Sequence, residues 1–398
     1  MMLQLMSGNE AVAHAARLSR VEIVSAMPIT PVSPISEKLA QFVADGELDA
    51  KFVEAEGEHS VMSVLTGACL SGCRTFTATS GAGLGYMVNP LYNAPVLRLP
   101  IVMAVGHRPQ GLLDFLSDHS DAMSVRDSGW IQLYVEDNQE AVDTIIQAYK
   151  IAEDPRVLLP VMVCFDGWYL SYLSEAVDFP SQEAVDGFIP PFRADHLSLE
   201  PDKHYAYGYQ VNAENYNMEF RYKYTQAMER AKTVISEVGE EYGRLTGRRN
   251  GLIDPYMTEG AELLLVTMGS TTGTARQVVK EMREEGQPIG ILKLRSFRPF
   301  PREELVKQTK DAGAVVVLDR SLSIGGNGPC FDEVTSALYS LPERPIVISA
   351  LAGVGGRDVT EERLGELIGQ CWKHYEKGEA PEGRIWVGFN AGGENRLM

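Results

Sequence analysis

Helix and strand signals alternate along most of this chain, and that alternation limits its fold more than any other feature. Short runs such as residues 51–54 (KFVE) and 99–105 (LPIVMAV) have the composition of buried strands, and the segments between them have helical spacing of apolar residues. In the segment 57–71, for example, Val61 and Leu65 fall on one helical stripe. Strands that alternate with helices predict mainly parallel sheets covered by helices, which is an α/β fold.

The alternation falls into two units. In the first unit, helices are predicted at 8–20, 34–44 and 57–71, and strands at 21–24, 51–54, 74–79, 99–105, 130–135 and 157–164. An irregular stretch at about 179–203 and a helix at about 216–245 lead to the second unit, with strands at 263–268, 289–294, 314–318 and 345–350. A chain of 398 residues exceeds what one core usually holds. We therefore predict a doubly wound domain at 1–250, with an extended arm at about 170–250, and a smaller α/β domain at 251–398.

The charge of the chain argues against two classes of partner. With 54 acidic and 36 basic residues the formal net charge is −18, whereas nucleic acid and anionic membranes require a basic face. The sequence shows no charged-then-apolar leader, and no apolar run of the roughly 18 residues that a membrane span needs. We therefore expect a cytoplasmic protein that binds neither nucleic acid nor membranes.

The cysteines argue against a metal centre built by this chain alone. The five are Cys69, Cys73, Cys164, Cys330 and Cys371, and no two of them form a C-x-x-C pair. Neither an iron–sulfur cluster nor a structural zinc is expected here, and Cys69 and Cys73 are interpreted as thiols in the core. The odd, scattered set fits a reducing compartment.

A proline-rich segment follows the first predicted strand. Residues 27–34 (MPITPVSP) hold three prolines, which fix φ and donate no backbone N–H, so the segment is predicted to be a rigid turn. Ser33 is interpreted as the N-cap of the next helix and Pro34 as its first residue. The turn would present Thr30 beyond the carboxyl end of a strand, where ligands of open α/β sheets bind. A stiff connector without a ligand is the alternative.

Polar residues follow three further predicted strands, at Glu58, Ser80 and Arg108. A planar guanidinium suits a bidentate carboxylate, so Arg108 is a candidate for binding an acid. An ion pair of Arg108 with Asp114 or Asp118 is the alternative. Glu58 opens a helix, where the helix dipole favours a carboxylate even without a ligand.

The common catalytic signatures are missing from the sequence. No G-x-S-x-G, H-E-x-x-H or G-x-x-x-x-G-K-[ST] segment occurs. Residues 81–85 (GAGLG) lack the spacing of a dinucleotide fingerprint and indicate only that something approaches the backbone closely. Residues 118–121 (DHSD) hold side chains found in metal sites and triads, but a polar loop is the favoured interpretation because the sequence shows no partners for them. No metal site is predicted in this chain.

Taken together, these segments resemble the α subunit of the 2-oxoacid:ferredoxin oxidoreductases, of which pyruvate:ferredoxin oxidoreductase is the best known. The matching segments, in the family's order, are 8–13 (GNEAVA), 28–31 (PITP), 56–60 (EGEHS), 75–80 (TFTATS), 99–104 (LPIVMA), 118–121 (DHSD), 126–132 (RDSGWIQ), 137–141 (DNQEA), 266–270 (VTMGS) and 294–301 (LRSFRPFP). They cover nearly the whole chain, and chance explains so ordered a set poorly.

The resemblance implies a thiamine diphosphate-dependent enzyme. The implied fold is a pyrimidine-type thiamine diphosphate-binding domain followed by a domain like the C-terminal domain of transketolase. Glu58 matches the glutamate that hydrogen-bonds the aminopyrimidine ring, while Thr30 and Arg108 match residues at the carboxylate of the substrate, so these three are the expected catalytic residues. Glu58, Pro28, Ile29, Ser80 and Gly81 are expected to bind the cofactor, and Thr30, Arg108 and His107 the substrate.

The resemblance also implies partners. The implied reaction is the oxidative decarboxylation of a 2-oxo acid to an acyl-CoA and carbon dioxide, with coenzyme A as co-substrate and electrons passed to iron–sulfur clusters. This chain has no G-D-G segment, which thiamine diphosphate enzymes use to hold the diphosphate and Mg²⁺. A β subunit is therefore expected to supply that half of the site, and γ/δ-type subunits to supply further clusters. The acceptor stays open between ferredoxin and NAD reached through a flavin subunit.

Three departures from the family's pattern lie on the substrate side. Met27 replaces Tyr, residues 80–83 (SGAG) replace S-S-Q-G, and residues 107–113 (HRPQGLL) replace N-R-A-x-S-A-P. The glycines remove bulk, and Leu112 and Leu113 add apolar surface, so a branched-chain or aryl 2-oxo acid such as phenylglyoxylate is an alternative to pyruvate. A non-catalytic assembly subunit of such a complex, and a nucleotide-binding dehydrogenase subunit without a visible fingerprint, are alternatives of other classes.

Overall fold

The computed structural model describes residues 2–111, 114–193 and 217–389. Leu112, Leu113 and residues 194–216 of the predicted arm lie outside the described residues. No helix in the described ranges is both long and apolar enough to cross a membrane, and the cytoplasmic location stays a prediction.

The described residues form alternating strands and helices. The strands are β1 (Met2–Ser7), β2 (Ile23–Ala26), β3 (Lys51–Glu54), β4 (Thr75–Thr79), β5 (Val102–His107), β6 (Ile131–Tyr134), β7 (Val161–Asp166), β8 (Ser174–Phe179), β9 (Ile253–Tyr256), β10 (Leu263–Thr267), β11 (Ile289–Leu294), β12 (Ser296–Arg298), β13 (Ala314–Asp319), β14 (Ile346–Leu351) and β15 (Ile385–Trp386). The helices are α1 (Gly8–Leu18), α2 (Ser33–Ala44), α3 (Glu58–Leu70), α4 (Gly81–Tyr86), α5 (Val88–Val96), α6 (Ser120–Ser124), α7 (Asn138–Ala152), α8 (Tyr169–Tyr172), α9 (Gln182–Phe188), α10 (Asn217–Thr246), α11 (Thr271–Glu284), α12 (Arg302–Thr309), α13 (Pro329–Leu338) and α14 (Glu361–Lys377).

The first large sheet has seven strands in the order β12-β6-β7-β5-β4-β2-β3. Its strands pair in parallel, except that β12 runs antiparallel to β6. Every residue of β4, β5, β6 and β7 is buried, as expected for a parallel sheet covered on both faces. The mainly parallel α/β fold predicted from the alternation is therefore confirmed.

The second large sheet has six strands in the order β15-β14-β13-β10-β11-β9, parallel except for β9. The two sheets share buried apolar residues: Val61 and Leu65 of α3 belong to the same hydrophobic cluster as Val266 and Val317 of the second sheet. In addition, β12 leaves the second unit to pair with β6 of the first sheet. The two units are therefore packed together by a common core.

Two local predictions were wrong. Helix α2 begins at Ser33 with Val32 as its N-cap and no side-chain hydrogen bond, so Ser33 is not the cap. The N–H groups of the first helical residues have no partner inside the helix, so a proline is tolerated at either of the first two positions. The sequence therefore could not fix the first residue of the helix. The stretch predicted as irregular also contains α9, whose N-cap Ser181 accepts a hydrogen bond from the Ala184 N–H.

Candidate active site

The carboxyl ends of β2, β3, β4 and β5 lie at one edge of the first sheet. From β2 the chain continues to β3 on one side, whereas β4 and β5 lie on the other side of β2. The direction in which strands are added therefore reverses between β2 and β4. Ligands of doubly wound sheets bind beside such a reversal, and the sequence-predicted residues Thr30, Glu58, Ser80 and Arg108 follow these four strands.

Glu58 packs against a glycine. It is the first residue of α3, half-buried, and its carboxylate has no hydrogen-bond partner within the described residues. A Cβ added at Gly83 would overlap Oε1 of Glu58. The same Cβ would lie 2.7 Å from Oγ1 of Thr79 and 2.9 Å from Cδ1 of Ile29. Glycine at position 83 thus lets a carboxylate, a hydroxyl and an aliphatic side chain come together where a methyl group would not fit.

Unpaired polar groups lie close to Gly83. The hydroxyls of Thr79 and Ser80 are buried, and neither has a hydrogen-bond partner in the described parts of the chain. Buried polar groups in proteins are nearly always paired, so unpaired ones are a common sign of a ligand site. A carboxylate such as that of Glu58 is able to share a proton with a ring nitrogen, and Ile29 offers an apolar surface beside Gly83. Pro28, also expected at the cofactor, is exposed.

Arg108 is fixed at one corner of its guanidinium. Its Nη1 donates to the carbonyl oxygen of Thr30 over 2.8 Å, while Nε is buried without a partner among the described residues. Neither Asp114 nor Asp118 forms an ion pair with it: Asp114 accepts from the Leu116 N–H, and Asp118 accepts from Ser120 and Gly355. The alternative of a structural ion pair is therefore wrong. Nε–H is thus an unpaired donor among the described residues, although it has no exposed surface.

Gly81 packs directly on Arg108. A Cβ at this position would lie 3.0 Å from Nε of Arg108, and the backbone of Gly81 has φ +46°, a region that favours glycine. Its carbonyl oxygen accepts a hydrogen bond from Nε2 of Gln110 over 2.7 Å. A side chain at position 81 would therefore press on the edge of Arg108 that carries Nε.

The proline-rich segment is a turn, as predicted. Hydrogen bonds from other parts of the chain hold its backbone in place. The Val32 N–H donates to the carbonyl oxygen of Ile29 over 2.9 Å. The buried Asn9, in the first turn of α1, donates from Nδ2 to the carbonyl oxygen of Pro31 over 2.9 Å. With the bond from Arg108 to the Thr30 carbonyl, these contacts fix the backbone on both sides of the Thr30 side chain.

Residues 118–121 form the centre of a buried polar network, whose contacts the polar-loop interpretation did not include. Asp118, His119 and Asp121 are all buried. Asp121 lies 2.7 Å from His107, between Oδ1 and Nδ1. His107, expected to bind substrate, is itself buried, and its Nδ1 faces this carboxylate. The sequence could not show this arrangement because the partners lie on other strands.

The network continues into the second unit. Nε2 of His119 lies 3.3 Å from Oδ1 of Asp166, the last residue of β7. Arg320, which follows β13, donates from Nη1 to Oδ2 of Asp166 over 2.8 Å and from Nη2 to the carbonyl oxygen of Ser117 over 2.7 Å. Sequence reasoning missed Asp166 and Arg320, and the only available signal was that each stands at the carboxyl end of a buried apolar strand.

The two histidines of the network differ in charge. Burial by itself would lower the pKa of His107, but the Asp121 carboxylate outweighs burial and raises it to about 10. For His119, burial and the charge of His107 lower the pKa to about 4, against the opposing hydrogen bond to Asp166. Although burial opposes it, the positive charge of Arg320 holds the pKa of Asp166 well below its usual range. At neutral pH, His107 is therefore protonated and His119 neutral.

No group of three or more His, Cys, Asp or Glu side chains with the geometry of a metal site occurs within the ranges that the structure describes. The carboxylates of Asp118, Asp121 and Asp166 are engaged with neighbouring hydrogen-bond donors, whereas that of Glu58 has no partner among the described residues. Glu58 is therefore a candidate for proton exchange at this edge of the sheet, and Arg108 is a candidate for binding an anion.

Comparison with protein families matches two regions of the chain. Residues 14–240 match the family described as "Pyruvate flavodoxin/ferredoxin oxidoreductase, thiamine diP-bdg". Residues 261–364 match "Pyruvate:ferredoxin oxidoreductase core domain II". The first match spans more than half of the chain.

Relatives are similar over nearly their full length. The chain is 42% identical to pyruvate synthase subunit PorA of Pyrococcus abyssi over 386 residues, which are 97% of this chain and 98% of the relative. It is 39% identical to the NADH-dependent phenylglyoxylate dehydrogenase subunit alpha of Aromatoleum evansii over 395 residues, with 96% and 94% covered.

Two solved structures share the fold. One is a 2-oxoglutarate:ferredoxin oxidoreductase from Magnetococcus marinus, with a TM-score of 0.69 and 20% identity over 92% of this chain and 65% of that chain. The other is a split-gene transketolase, with a TM-score of 0.50 and 15% identity over 94% and 96%. They agree with a thiamine diphosphate-binding domain followed by a transketolase C-terminal-like domain. With the family matches and the relatives, they establish that the chain belongs to the 2-oxoacid:ferredoxin oxidoreductase family, as its α subunit.

Proposed function

We propose that this chain supplies the aminopyrimidine half of a thiamine diphosphate site in a multi-subunit enzyme that oxidatively decarboxylates a 2-oxo acid. The observation that carries the proposal is the unpaired Glu58 carboxylate, which a glycine at position 83 allows to lie close to Thr79 and Ile29. Family membership supports the cofactor, and the unpaired hydroxyls of Thr79 and Ser80 support a ligand at this position.

Glu58 would hold the aminopyrimidine ring by sharing a proton between its carboxylate and a ring nitrogen. Thiamine diphosphate, when bound, supplies a nucleophilic carbon and an electron sink for the decarboxylation. Ile29 and Gly83 would contact the ring, and the fixed backbone of Gly81 and Ser80 would close the other side.

Arg108 would bind the carboxylate of the 2-oxo acid through the edge that carries Nε. The bond from Nη1 to the Thr30 carbonyl orients the guanidinium before substrate arrives, so little side-chain entropy is lost on binding. The Thr30 side chain would lie at the same carboxylate. His107 would act behind Arg108, as a buried cation, and not by contact with substrate.

The proposed substrates are pyruvate or a larger branched-chain or aryl 2-oxo acid. Relatives that match nearly the whole chain carry both kinds of name, pyruvate synthase and phenylglyoxylate dehydrogenase. Coenzyme A is the proposed acceptor of the acyl group, in keeping with the coenzyme A bound to the neighbour from Magnetococcus marinus. The Phe115 ring, whose centre lies 5.3 Å from the Arg108 guanidinium carbon, would offer an apolar surface to the side chain of such an acid.

The remaining parts of the enzyme are proposed to lie on partners. A β subunit would bind the diphosphate and Mg²⁺, because this chain lacks a G-D-G segment. Iron–sulfur subunits would take the electrons and pass them to ferredoxin, or to NAD through a flavin subunit. Names of relatives that end in "subunit" support an assembly of several chains.

The test is reduction of a viologen dye by the complex purified without oxygen from its native source, with coenzyme A and a panel of pyruvate, branched-chain and aryl 2-oxo acids. Rapid reduction with one acid would support the proposal and identify the substrate. Absence of reduction with every acid, in a complex whose partner subunits and clusters are intact, would favour a non-catalytic assembly subunit.

A further inference from the structure

We propose that Asp121 is a positioning residue for substrate binding, which aligns the backbone of Arg108 with that of Gly81. The inference rests on the proposed function, because it assumes that Arg108 binds the substrate carboxylate. Asp121 touches neither substrate nor cofactor in this proposal. It acts through the two loops that follow β4 and β5.

A single carboxylate collects donors from both loops. Oδ2 of Asp121 accepts hydrogen bonds from the backbone N–H groups of Gly81 and Arg108, each over 3.0 Å. Oδ1 lies 2.7 Å from Nδ1 of His107 and accepts from the Ala122 N–H over 2.7 Å. Because Gly81 and Arg108 share one oxygen atom, the carboxylate sets the distance between the loops that carry them.

That distance determines whether the guanidinium can bind an acid. Gly81 already lies against Arg108, since a Cβ there would be 3.0 Å from Nε. A change in the spacing of the two loops would alter how far Gly81 covers the Nε edge and would tilt the guanidinium relative to the carbonyl oxygen of Thr30. Bidentate binding of a carboxylate depends on the orientation of the planar group, so such a shift costs affinity.

Asp121 is fixed in the interior. Its side chain is fully buried, and its Oδ1 lies 2.7 Å from Nδ1 of His107. A buried carboxyl group that accepts several hydrogen bonds is held rigidly, because an oxygen that moves away from its donor loses that hydrogen bond and finds no water to replace it. An exposed carboxylate in the same place would not fix the loops.

The substitution Asp121→Asn tests whether the two carboxylate oxygens are needed to hold the loops, or whether any polar side chain of this size is enough. Asparagine offers one acceptor oxygen and one NH₂ group, so it cannot accept from the Gly81 and Arg108 N–H groups and from His107 and Ala122 at once. One pair of donors would face an NH₂ group. We expect the loops to shift while the rest of the buried network stays in place.

The experiment is a double-mutant cycle on the assembled complex, with Arg108→Ala, Asp121→Asn and the double variant. If Asp121 acts through Arg108, Asp121→Asn raises the apparent KM for the 2-oxo acid about tenfold or more and leaves the KM for coenzyme A unchanged. The double variant then has the KM of Arg108→Ala, within about threefold. The matched control is Asp319→Asn, a buried carboxylate of the second unit that accepts from the Cys330 and Phe331 N–H groups, and it should leave the KM for the 2-oxo acid unchanged.

The outcomes distinguish the two proposals. A normal KM in Arg108→Ala would overturn the role of Arg108 and this inference with it. A raised KM in Arg108→Ala with a normal KM in Asp121→Asn, or multiplied effects in the double variant, would overturn only this inference. Should Asp121→Asn fail to assemble, Asp121→Glu keeps the charge beside His107 and is expected to assemble with a raised KM. A wild-type KM in Asp121→Glu, or failure of both variants to assemble, would assign Asp121 to folding instead.

Discussion

Arg320 of the second unit donates to Asp166 of the first unit over 2.8 Å, and both side chains are buried. Nη2 of Arg320 also donates to the carbonyl oxygen of Ser117, which directly precedes the buried network of residues 118–121. The second unit therefore supports the loop that leads into α6, the helix that carries Asp121. This contact makes the second unit part of the framework of the candidate site.

Arg320→Met should destabilise the chain strongly. It leaves Asp166 as a buried carboxylate without its charged partner, which typically costs about 3–5 kcal/mol. Pulse proteolysis of the complex in urea, followed on the band of this chain, measures the change. The control is Arg156→Met, which removes a half-exposed arginine paired with Asp154 and Glu237 and should cost about 1 kcal/mol or less. Equal effects of the two substitutions would contradict the importance of the buried pair.

Stability should fall as the pH rises above neutrality because of His107. Its pKa in the folded chain is about 10, above the ordinary value of 6.5, so the protonated ring stabilises the fold. That contribution is complete below the unfolded value and is lost as pH rises toward 10, by up to about 1.4 kcal/mol per pH unit. Of the groups around the ring, Asp121 favours the charge, while Cys164 and Tyr134 have pKa values raised by burial.

His107→Gln should flatten this dependence between pH 7 and 9, because glutamine can donate to Asp121 but does not titrate. The urea midpoint from pulse proteolysis at several pH values gives the slope. His14→Gln serves as the control: burial lowers the pKa of His14 to about 4, so its titration affects stability only below neutral pH. Parallel slopes for the wild type and His107→Gln would show that the buried ring is not protonated.

Glu58→Gln should abolish turnover without preventing assembly. The amide cannot exchange a proton with a ring nitrogen, and loss of such a group typically costs about 10²–10⁴ in rate. Viologen reduction and size-exclusion chromatography of the complex measure the two properties. Glu56→Gln, two residues away, removes an exposed carboxylate bonded to Ser60 and should leave turnover unchanged. Normal turnover in Glu58→Gln would remove Glu58 from the mechanism.

Gly83→Ala should impair cofactor binding. The added methyl group would overlap the Glu58 carboxylate oxygen, so the carboxylate would have to leave the position in which it is proposed to hold the aminopyrimidine ring. We expect a raised thiamine diphosphate requirement in the viologen assay. Gly67→Ala is the control, because nothing lies within 4 Å of a Cβ at that position in α3, and it should leave the requirement unchanged. An unchanged requirement in Gly83→Ala would place the cofactor elsewhere.

Thr30→Ala should weaken binding of the 2-oxo acid. The substitution removes the hydroxyl but keeps the carbonyl oxygen that accepts from Arg108, so the guanidinium stays in place. Loss of one hydrogen bond to a charged group costs about 1.5–3 kcal/mol, which is a rise in apparent KM of about tenfold or more. Thr30→Ser keeps the hydroxyl and should restore the wild-type KM. Unchanged KM and turnover in Thr30→Ala would show that the prolines stiffen a connector and nothing more.

The sequence predicted the parts of the site that depend on local pattern. The strand at 51–54 and the strand at 289–294 have their predicted bounds, and the strand ends that carry Thr30, Glu58 and Ser80 follow from the periodicity and from the prolines. Parallel strands bring their carboxyl ends to one edge, so these residues were expected near one another before any contact was known. Their roles in catalysis stay predictions that the variants above test.

The sequence could not predict the contacts that hold these residues in place. Asp121 accepts a hydrogen bond from Gly81, which lies 40 positions earlier in the chain. Arg320 donates to Asp166, which lies 154 positions earlier. Strand β12 likewise joins a sheet whose other strands all precede residue 167. In this protein, local periodicity determined which segments are strands and helices and which polar residues end them. The order of the strands and the burial of their ends, which only the tertiary structure decided, determined which polar groups are shielded from water. A shielded polar group must pair with a side chain or backbone group that the tertiary structure brings beside it, and that partner cannot be read from local sequence.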